Sequence, residues 1–291
     1  MAVKSKTRPE ADKDITGTFS METVGGRALR VGHWRLDQPS DHPPILFFNG
    51  IGANIEAVAP LAEALDDRGF IMFDMPGTGG SPDPVVPYNA VTMCWTAAQL
   101  LDRFGVGEVD VMGVSWGGAM AQHFALQHSG KTRRVILAAT SPGMLMVPGN
   151  PAALSKMVDP RRYIDPQFMN EHFATLYGGM VADTGGDAKR QHIGRITPPS
   201  TRGYIYQLIA MIGWTSLPFL PLLAKPTLVM MGGDDQIVPV ANGKILSAMI
   251  PNARLEVFED GGHLFLLTHS DASIAAIRAF LAEDETLKAA A

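Results

Sequence analysis

The stretch that most restricts this chain is Val109-Asp110-Val111-Met112-Gly113-Val114-Ser115-Trp116-Gly117-Gly118. An apolar, β-branched run ends in Gly-x-Ser-x-Gly, and small residues at helical spacing (Ala119, Met120, Ala121) follow at once. That order predicts a strand, a one-residue turn and a helix, the context in which the motif presents a serine as a nucleophile. So tight a turn forces Ser115 into a strained backbone conformation and lifts its hydroxyl above the strand end. Gly113 and Gly117 are required because a Cβ at either would strike the neighbouring strand or helix. The helix opening after Ser115 aims its unbonded N–H groups and positive dipole end at the same place. A bare Gly-x-Ser-x-Gly arises by chance in many chains; the strand before it and the helix after it give it weight.

Composition narrows the class. A chain of 291 residues with 46% hydrophobic content can bury a large core and carry one insertion. The 18% charged fraction is too low for a disordered or tail-like protein. A net charge of −5 without a basic cluster argues against a nucleic-acid partner. The single cysteine, Cys94, excludes an internal disulfide and a cysteine-based zinc cage. It falls in an apolar helical stretch, so a buried, inert thiol is expected. There is no His-x-x-x-His and no acidic cluster with cation-site rhythm, so no metal and no cofactor are expected. The N-terminus has no apolar run, and no stretch approaches the ~18 apolar residues of a membrane span. The expectation is a cytoplasmic protein.

Along the chain, residues 1–15 are polar and charged and are expected to be a disordered tail. Phe19 to Leu36, broken at Gly25-Gly26, predicts a β-hairpin. Buried strands are expected at Pro44 to Phe48, Phe70 to Phe73, the Ser115 approach, Arg134 to Ala139, Pro226 to Met231 and Leu255 to Phe258. Helical patterns lie around Val58 to Leu65, Ala90 to Phe104, Asn242 to Met249 and from Asp271 onward. The alternation implies βαβ crossovers, hence an α/β fold with a mostly parallel central sheet and helices on both faces. Between Thr140 and Ala224 the rhythm fails, leaving helical fragments such as Asp165 to Leu176 and Gly203 to Ile212. A structureless loop of that length does not fit a compact domain. Residues 142–223 are therefore expected to form an inserted helical cap on a core made of 16–141 and 224–291.

A serine hydroxyl needs a base within reach and an orienting group behind the base. Two late loops, each directly beyond a strand, supply candidates. In Gly232-Gly233-Asp234-Asp235-Gln236-Ile237-Val238-Pro239, Asp235 stands four residues before Pro239 and is preferred to Asp234. Both aspartates could instead form an Asx-turn or cap a helix. In Glu259-Asp260-Gly261-Gly262-His263, two glycines let the chain turn sharply and present the imidazole. Of the eight histidines, His263 alone has this placement; His269 is its rival, beside helix-start residues. A tetrahedral intermediate also needs an oxyanion hole, where one lost donor costs on the order of 3–4 kcal/mol. The N–H of Trp116 is one candidate donor by the geometry of the turn. The N–H of Ile51, flanked by Gly50 and Gly52 after the early strand, is the other.

With these loops and the Asp74…Gly77-x-Gly79 turn in this order, the chain resembles an α/β-hydrolase. It resembles more narrowly the intracellular depolymerases of medium-chain-length poly(3-hydroxyalkanoate). The resemblance is carried by Phe47-Phe48-Asn49-Gly50-Ile51-Gly52-Ala53-Asn54, by Gly113 to Ala119 and by Asp260-Gly261-Gly262-His263-Leu264-Phe265-Leu266. In the inserted region it is carried by Met146 to Gly149, Pro160 to Tyr163, Leu176 to Gly179 and Gly213 to Ser216. It runs from about Phe19 to Leu281. Most α/β-hydrolases have His-Gly where this chain has Asn49-Gly50, and asparagine is what the narrower family shows. The resemblance implies Ser115 as nucleophile, Asp235 as acid and His263 as base, together with residence on intracellular polyester granules. It implies hydrolysis of polyester ester bonds through an acyl-enzyme, releasing 3-hydroxy acids. The alkyl side chains need an apolar channel, for which Met144 to Val147 and Met211 to Leu223 are candidates. Asn49, Met146 and Trp214 are the candidate substrate contacts. The same triad also fits a small ester, an enol-lactone or a C–C bond beside a carbonyl. A catalytically silent relative serving as a receptor or granule-binding module is the third reading, although no triad member is missing.

Overall fold

A computed structural model describes residues 15–157, 159, 161–179 and 194–289. All but Ile15 of the expected N-terminal tail lies outside those residues. β1 (Thr18–Val24) and β2 (Arg27–Trp34) pair antiparallel across Gly25-Gly26. Both glycines have positive φ, 57° and 72°, as a two-residue hairpin turn that follows the strand twist requires. β3 (Ile45–Phe48), β4 (Phe70–Phe73), β5 (Val109–Val114), β6 (Thr132–Ala138), β7 (Thr227–Gly232) and β8 (Ala253–Phe258) follow. The sheet order is β1-β2-β4-β3-β5-β6-β7-β8. β2 pairs antiparallel with β4, and every pairing from β4 through β8 is parallel.

Strand residues alternate between two cores, because successive side chains leave a strand on opposite faces. Leu46, Phe48, Val109 and Val111 face one core, with Met93 and Leu100 of α2 (Ala90–Arg103) and Phe124 of α3 (Trp116–Gln127). Ile45, Phe47 and Met112 face the other, with Ala59 and Ala62 of α1 (Ala59–Ala64). Fully burying each large apolar side chain is worth ~1.5–3 kcal/mol, so these two layers dominate the stabilisation. α2 starts on a capping box in which Asn89 Oδ1 accepts from Thr92 N at 3.0 Å and Thr92 Oγ1 accepts from Asn89 N at 3.2 Å. Cys94 is fully buried in α2, and burial pushes its thiol pKa well up, which leaves it unreactive.

The segment between β6 and β7 carries α4 (Pro151–Met157), α5 (Arg161–Ile164), α6 (Pro166–Tyr177), α7 (Thr201–Ala210) and a 3₁₀ stretch, Leu217–Leu222. Asp165 caps α6 through the N–H groups of Gln167 (2.9 Å) and Phe168 (3.3 Å). Ser200 Oγ caps α7 by accepting from Gly203 N at 2.9 Å. The segment sits on the loops beyond the strand ends with almost no side chain between. A Cβ on Gly203 would lie 2.6 Å from Gly77 Cα, and one on Gly178 would lie 2.3 Å from the Asp234 carbonyl oxygen. After β7 come α8 (Val240–Met249), α9 (Phe265–Thr268) and α10 (Ser270–Ala289). Leu246 of α8 joins the first core, and Ile277 and Phe280 of α10 join the second, so helices cover both faces. Among the described residues no helix is long and apolar enough to cross a membrane.

Candidate active site

Ser115 sits at φ 55°, ψ −119°, between the end of β5 and the start of α3. A side chain held at positive φ costs on the order of 1–3 kcal/mol and persists only when its surroundings over-determine it. Here they do. Ser115 N donates to the Ala138 carbonyl at 2.9 Å, while its own carbonyl accepts from Gly118 N at 2.9 Å and Thr140 Oγ1 at 2.7 Å. A Cβ on Gly113 would lie 2.1 Å from the Gly117 carbonyl oxygen, and one on Gly117 would lie 2.0 Å from that of Phe48. No larger residue allows the turn to close.

The acid loop follows β7. Asp235 has its carboxylate buried, with Oδ2 2.7 Å from His263 Nδ1. Its Oδ1 accepts from the N–H groups of Ile237 (2.8 Å) and Val238 (2.9 Å), so the loop's own backbone holds the carboxylate in place. Asp234 has a different job: Oδ2 accepts from Gly179 N at 2.7 Å and Oδ1 from Gln236 Nε2 at 2.7 Å. His263 follows β8, and its backbone N–H donates to the Tyr177 carbonyl at 2.7 Å. The Tyr177 ring stacks on the imidazole with centroids 6.4 Å apart. Gly262 is needed for this closeness, since a Cβ there would lie 2.0 Å from the Tyr177 oxygen. The rival His269 instead pairs with exposed Asp260, Nε2 to Oδ1 at 2.9 Å.

The turn after β3 closes on the serine from the other side. A Cβ on Gly50 would stand 3.9 Å from Ser115 Cβ, so Gly50 and Ser115 are neighbours. Ile51 lines the same cavity as Ser115 and His263. Trp116 opens α3, so its N–H has no partner one turn earlier in that helix. Asn49 Oδ1 accepts from Gly50 N at 2.8 Å and its Nδ2 donates to the Asn54 carbonyl at 2.9 Å. Asn49 thus borders the cavity, and its polar atoms also shape the turn. No hydrogen bond joins Ser115 Oγ to His263; such contacts often close only with substrate present.

The cavity has a volume of about 360 Å³. Its walls are chiefly apolar: Val58, Leu61 and Ala64 from the α1 region, Leu267 and Ile274 from α9 and α10, and Ile237 from the acid loop. The inserted segment adds Met157, Arg162, Tyr177, Arg195 and Ile196. This corrects the expectation for two substrate contacts, because neither Met146 nor Trp214 lines the cavity. Met146 packs against the core and takes a contact from Ser141 Oγ at 3.5 Å. Trp214 covers Gly143 and donates from Nε1 to His123 Nδ1 at 3.2 Å. Met144, Leu145, Ile212, Phe219 and Leu222 are more than half exposed and point to solvent rather than into the site. Apolar composition identified residues able to line a channel but not which surface they face.

Three further residues support the site. Asn54, fully buried, donates from Nδ2 to the Arg195 carbonyl at 3.0 Å and accepts at Oδ1 from Thr197 N at 3.0 Å. Asp74, also buried, accepts from Ile55 N at 2.8 Å and Gly80 N at 2.9 Å, and pairs with Arg30 at 3.2 Å. Burial pushes its carboxyl up to about 6 against the pull of those donors and of Arg30. Gln207 of α7 is fully buried, and its Oε1 accepts from Gly52 N at 2.8 Å. The one sequence hint for Gln207 is its spacing after Tyr204, which places an amide on the same helix face as an aromatic ring.

A family model described as alpha/beta hydrolase fold matches residues 43–190 and 197–270. The poly(3-hydroxyalkanoate) depolymerase of Ectopseudomonas oleovorans is 43% identical over 242 residues, covering 83% of this chain and 85% of that protein. A 2-hydroxymuconate semialdehyde hydrolase of Pseudomonas putida is 28% identical, covering 76% of this chain and 79% of its own length. Among solved structures, the enol-lactonase from Burkholderia xenovorans LB400 superposes with a TM-score of 0.77 at 21% identity. That superposition covers 90% of this chain and 99% of the enol-lactonase, and it shows the shared fold. The sheet order, the family match across both halves of the core and the 43% identical relative lead to one conclusion: this chain belongs to the α/β-hydrolase family, in the group of the poly(3-hydroxyalkanoate) depolymerase.

Proposed function

We propose that this chain is a serine ester hydrolase whose substrate is a medium-chain-length polyester of 3-hydroxy acids, and that residues 142–223 act as its cap. The observation that carries the reading is the 2.7 Å contact between buried Asp235 and His263, on the wall of an apolar cavity that Ser115 also lines. The 43% identity to the E. oleovorans depolymerase supports the polyester as substrate.

In this mechanism His263 Nε2 takes the Ser115 hydroxyl proton as Oγ bonds to an ester carbonyl carbon. The carbonyl oxygen becomes an oxyanion facing the N–H groups of Ile51 and Trp116. Collapse breaks the ester C–O bond, and His263 returns its proton to the departing 3-hydroxyl oxygen of the adjacent unit. Water then attacks the acyl-enzyme, giving one proton to His263, which passes it to Ser115 Oγ as the 3-hydroxy acid or oligomer leaves. Asp235 holds Nδ1–H, fixing the tautomer that leaves Nε2 able to accept, and stabilises the imidazolium. The alkyl side chain occupies the pocket between α1 and α10, whose wall carries Leu61, Ala64, Leu267 and Ile274. Such a substrate is presented on a granule surface, which is where the protein is proposed to work.

The test is turnover of a p-nitrophenyl alkanoate and of dispersed medium-chain polyester by the wild type and Ser115→Ala. Ser115→Ala is expected to lower kcat by ~10⁴-fold or more with the fold retained. Retained activity removes Ser115 from the mechanism. A wild type that hydrolyses short soluble esters but leaves the dispersed polyester intact replaces the polyester with a small-ester substrate.

A further inference from the structure

Gln207 of the inserted segment bonds directly to the turn that would receive the oxyanion. Gln207 lies 155 positions from Gly52 in sequence, yet its Oε1 accepts the Gly52 N–H at 2.8 Å. Its backbone carbonyl accepts from Trp116 Nε1 at 3.1 Å. One residue of α7 therefore touches both loops whose N–H groups face the carbonyl oxygen in the proposed mechanism.

The placement runs against the usual reason for a buried helix face. Ile205, Leu208 and Ile209 of α7 are 45%, 41% and 42% exposed, while Gln207 is 0% exposed. Among the described residues Gln207 Nε2 is buried with no hydrogen-bond partner, a state that costs about 1–3 kcal/mol. A methionine or leucine would fill the same volume without that cost. What only the amide supplies is an acceptor for the Gly52 N–H.

That acceptor matters because Gly52 is buried at φ 71°, in a region where a glycine peptide plane turns over at little cost. A buried N–H must find an acceptor. With Oε1 in place, the peptide between Ile51 and Gly52 has one orientation, and the Ile51 N–H one peptide earlier is aimed with it. Without Oε1, the buried Gly52 N–H loses this acceptor and the turn keeps only its local bonds. The seating of α7 is equally tight: Ser200 N donates to the Gly77 carbonyl at 2.7 Å, and Gly203 rests on Gly77. Asn54 bonds the same turn to residues 195 and 197.

We infer that Gln207 is a positioning residue: it couples the seating of α7 on the core to the orientation of the Ile51–Gly52 peptide, and so to transition-state stabilisation. The inference rests on the serine-hydrolase reading above. It is tested with Gln207→Met, assayed with p-nitrophenyl octanoate and an alkyl boronic acid that mimics the tetrahedral intermediate. Loss of one oxyanion donor costs ~10²–10³ in kcat, and a misaimed donor is expected to cost about 10–100-fold. KM should stay within about twofold, and the boronate Ki should rise by about the same factor as kcat/KM falls. A lowered Tm with kcat and boronate affinity unchanged, or a rise in KM alone, overturns the role. Should Gln207→Met fold poorly, Trp116→Phe removes the second tie and leaves Gln207 in place. A smaller loss in the same direction is expected there, and unchanged boronate affinity overturns the coupling. If wild type neither turns over the ester nor reacts with a fluorophosphonate, the serine-hydrolase reading falls and this inference with it. An active wild type matched by Gln207→Met removes only the role of Gln207.

Discussion

The two sides of the site are built differently. On one side the Asp235 carboxylate takes the N–H groups of residues two and three positions on in its own loop, while the His263 N–H reaches the Tyr177 carbonyl of the inserted segment. On the proposed oxyanion side, beside the local bonds of Asn49, Gly52 is bonded to Gln207 and Asn54 to residues 195 and 197. A loop that contains its own hydrogen bonds keeps its shape when its neighbours shift. A turn with an N–H bonded to an inserted segment loses that bond when the segment is unseated. Both sides touch the inserted segment, but the Asp235 carboxylate is held by the N–H groups of its own loop, whereas the Gly52 N–H is held by a side chain of the insertion.

The largest effect that sharpens this contrast belongs to the Asp235 side. Asp235→Asn is expected to lower kcat by about 10⁴-fold, because an amide favours the wrong imidazole tautomer. Because Ile237 N and Val238 N can still bond to an amide oxygen, Tm should move little; a calorimetric scan beside the kinetics checks both. A loss in kcat below tenfold would mean that Asp235 does not orient His263.

The next effect is on the side of the Gly52 turn and is read in stability. Asp74, which holds Ile55 just past the oxyanion turn, has its carboxyl raised to about 6 by burial. The folded state then binds this proton more tightly than the unfolded chain, whose aspartates titrate near ~4. The contribution is fully present below about pH 4 and is lost as pH rises through about 6, by ~3 kcal/mol at most. Asp74→Asn should be less stable yet show a flatter Tm between those pH values. An unchanged slope would remove Asp74 as its source.

The smallest effect lies outside both. Trp214→Phe keeps a ring over Gly143 but loses the 3.2 Å bond to His123. A cost of ~0.5–1.5 kcal/mol is expected in denaturant melts, with kcat/KM within about twofold of wild type. A fall of tenfold or more would return Trp214 to the substrate path.

How much could be read beforehand follows the same division. Gly113 and Gly117 were legible because a one-residue turn forbids a Cβ wherever it occurs. Asp235 could be chosen over Asp234 on its spacing to Pro239, and the structure gives the two aspartates different partners: His263 for one, Gly179 and Gln236 for the other. Gln207 could not be chosen, because its partner lies 155 residues away and nothing near it marks the pairing. The inserted segment misled for a related reason. Its methionines and tryptophan read as channel lining, yet α1 and α10 of the core supply much of the apolar wall.

Taken alone, the order of residues dictated the alternating strands and helices, the backbone strain at Ser115 and the glycines that let strand-end loops meet. These are consequences of local sterics and of hydrophobic period, which act over a few residues at a time. Only the assembled molecule decided which apolar residues face the cavity, which buried amide steadies Gly52 and how the insertion rests on Gly77. Those depend on which distant surfaces meet, and a hydrogen bond of 2.8 Å between α7 and the turn after β3 exists only once the whole sheet has placed both ends.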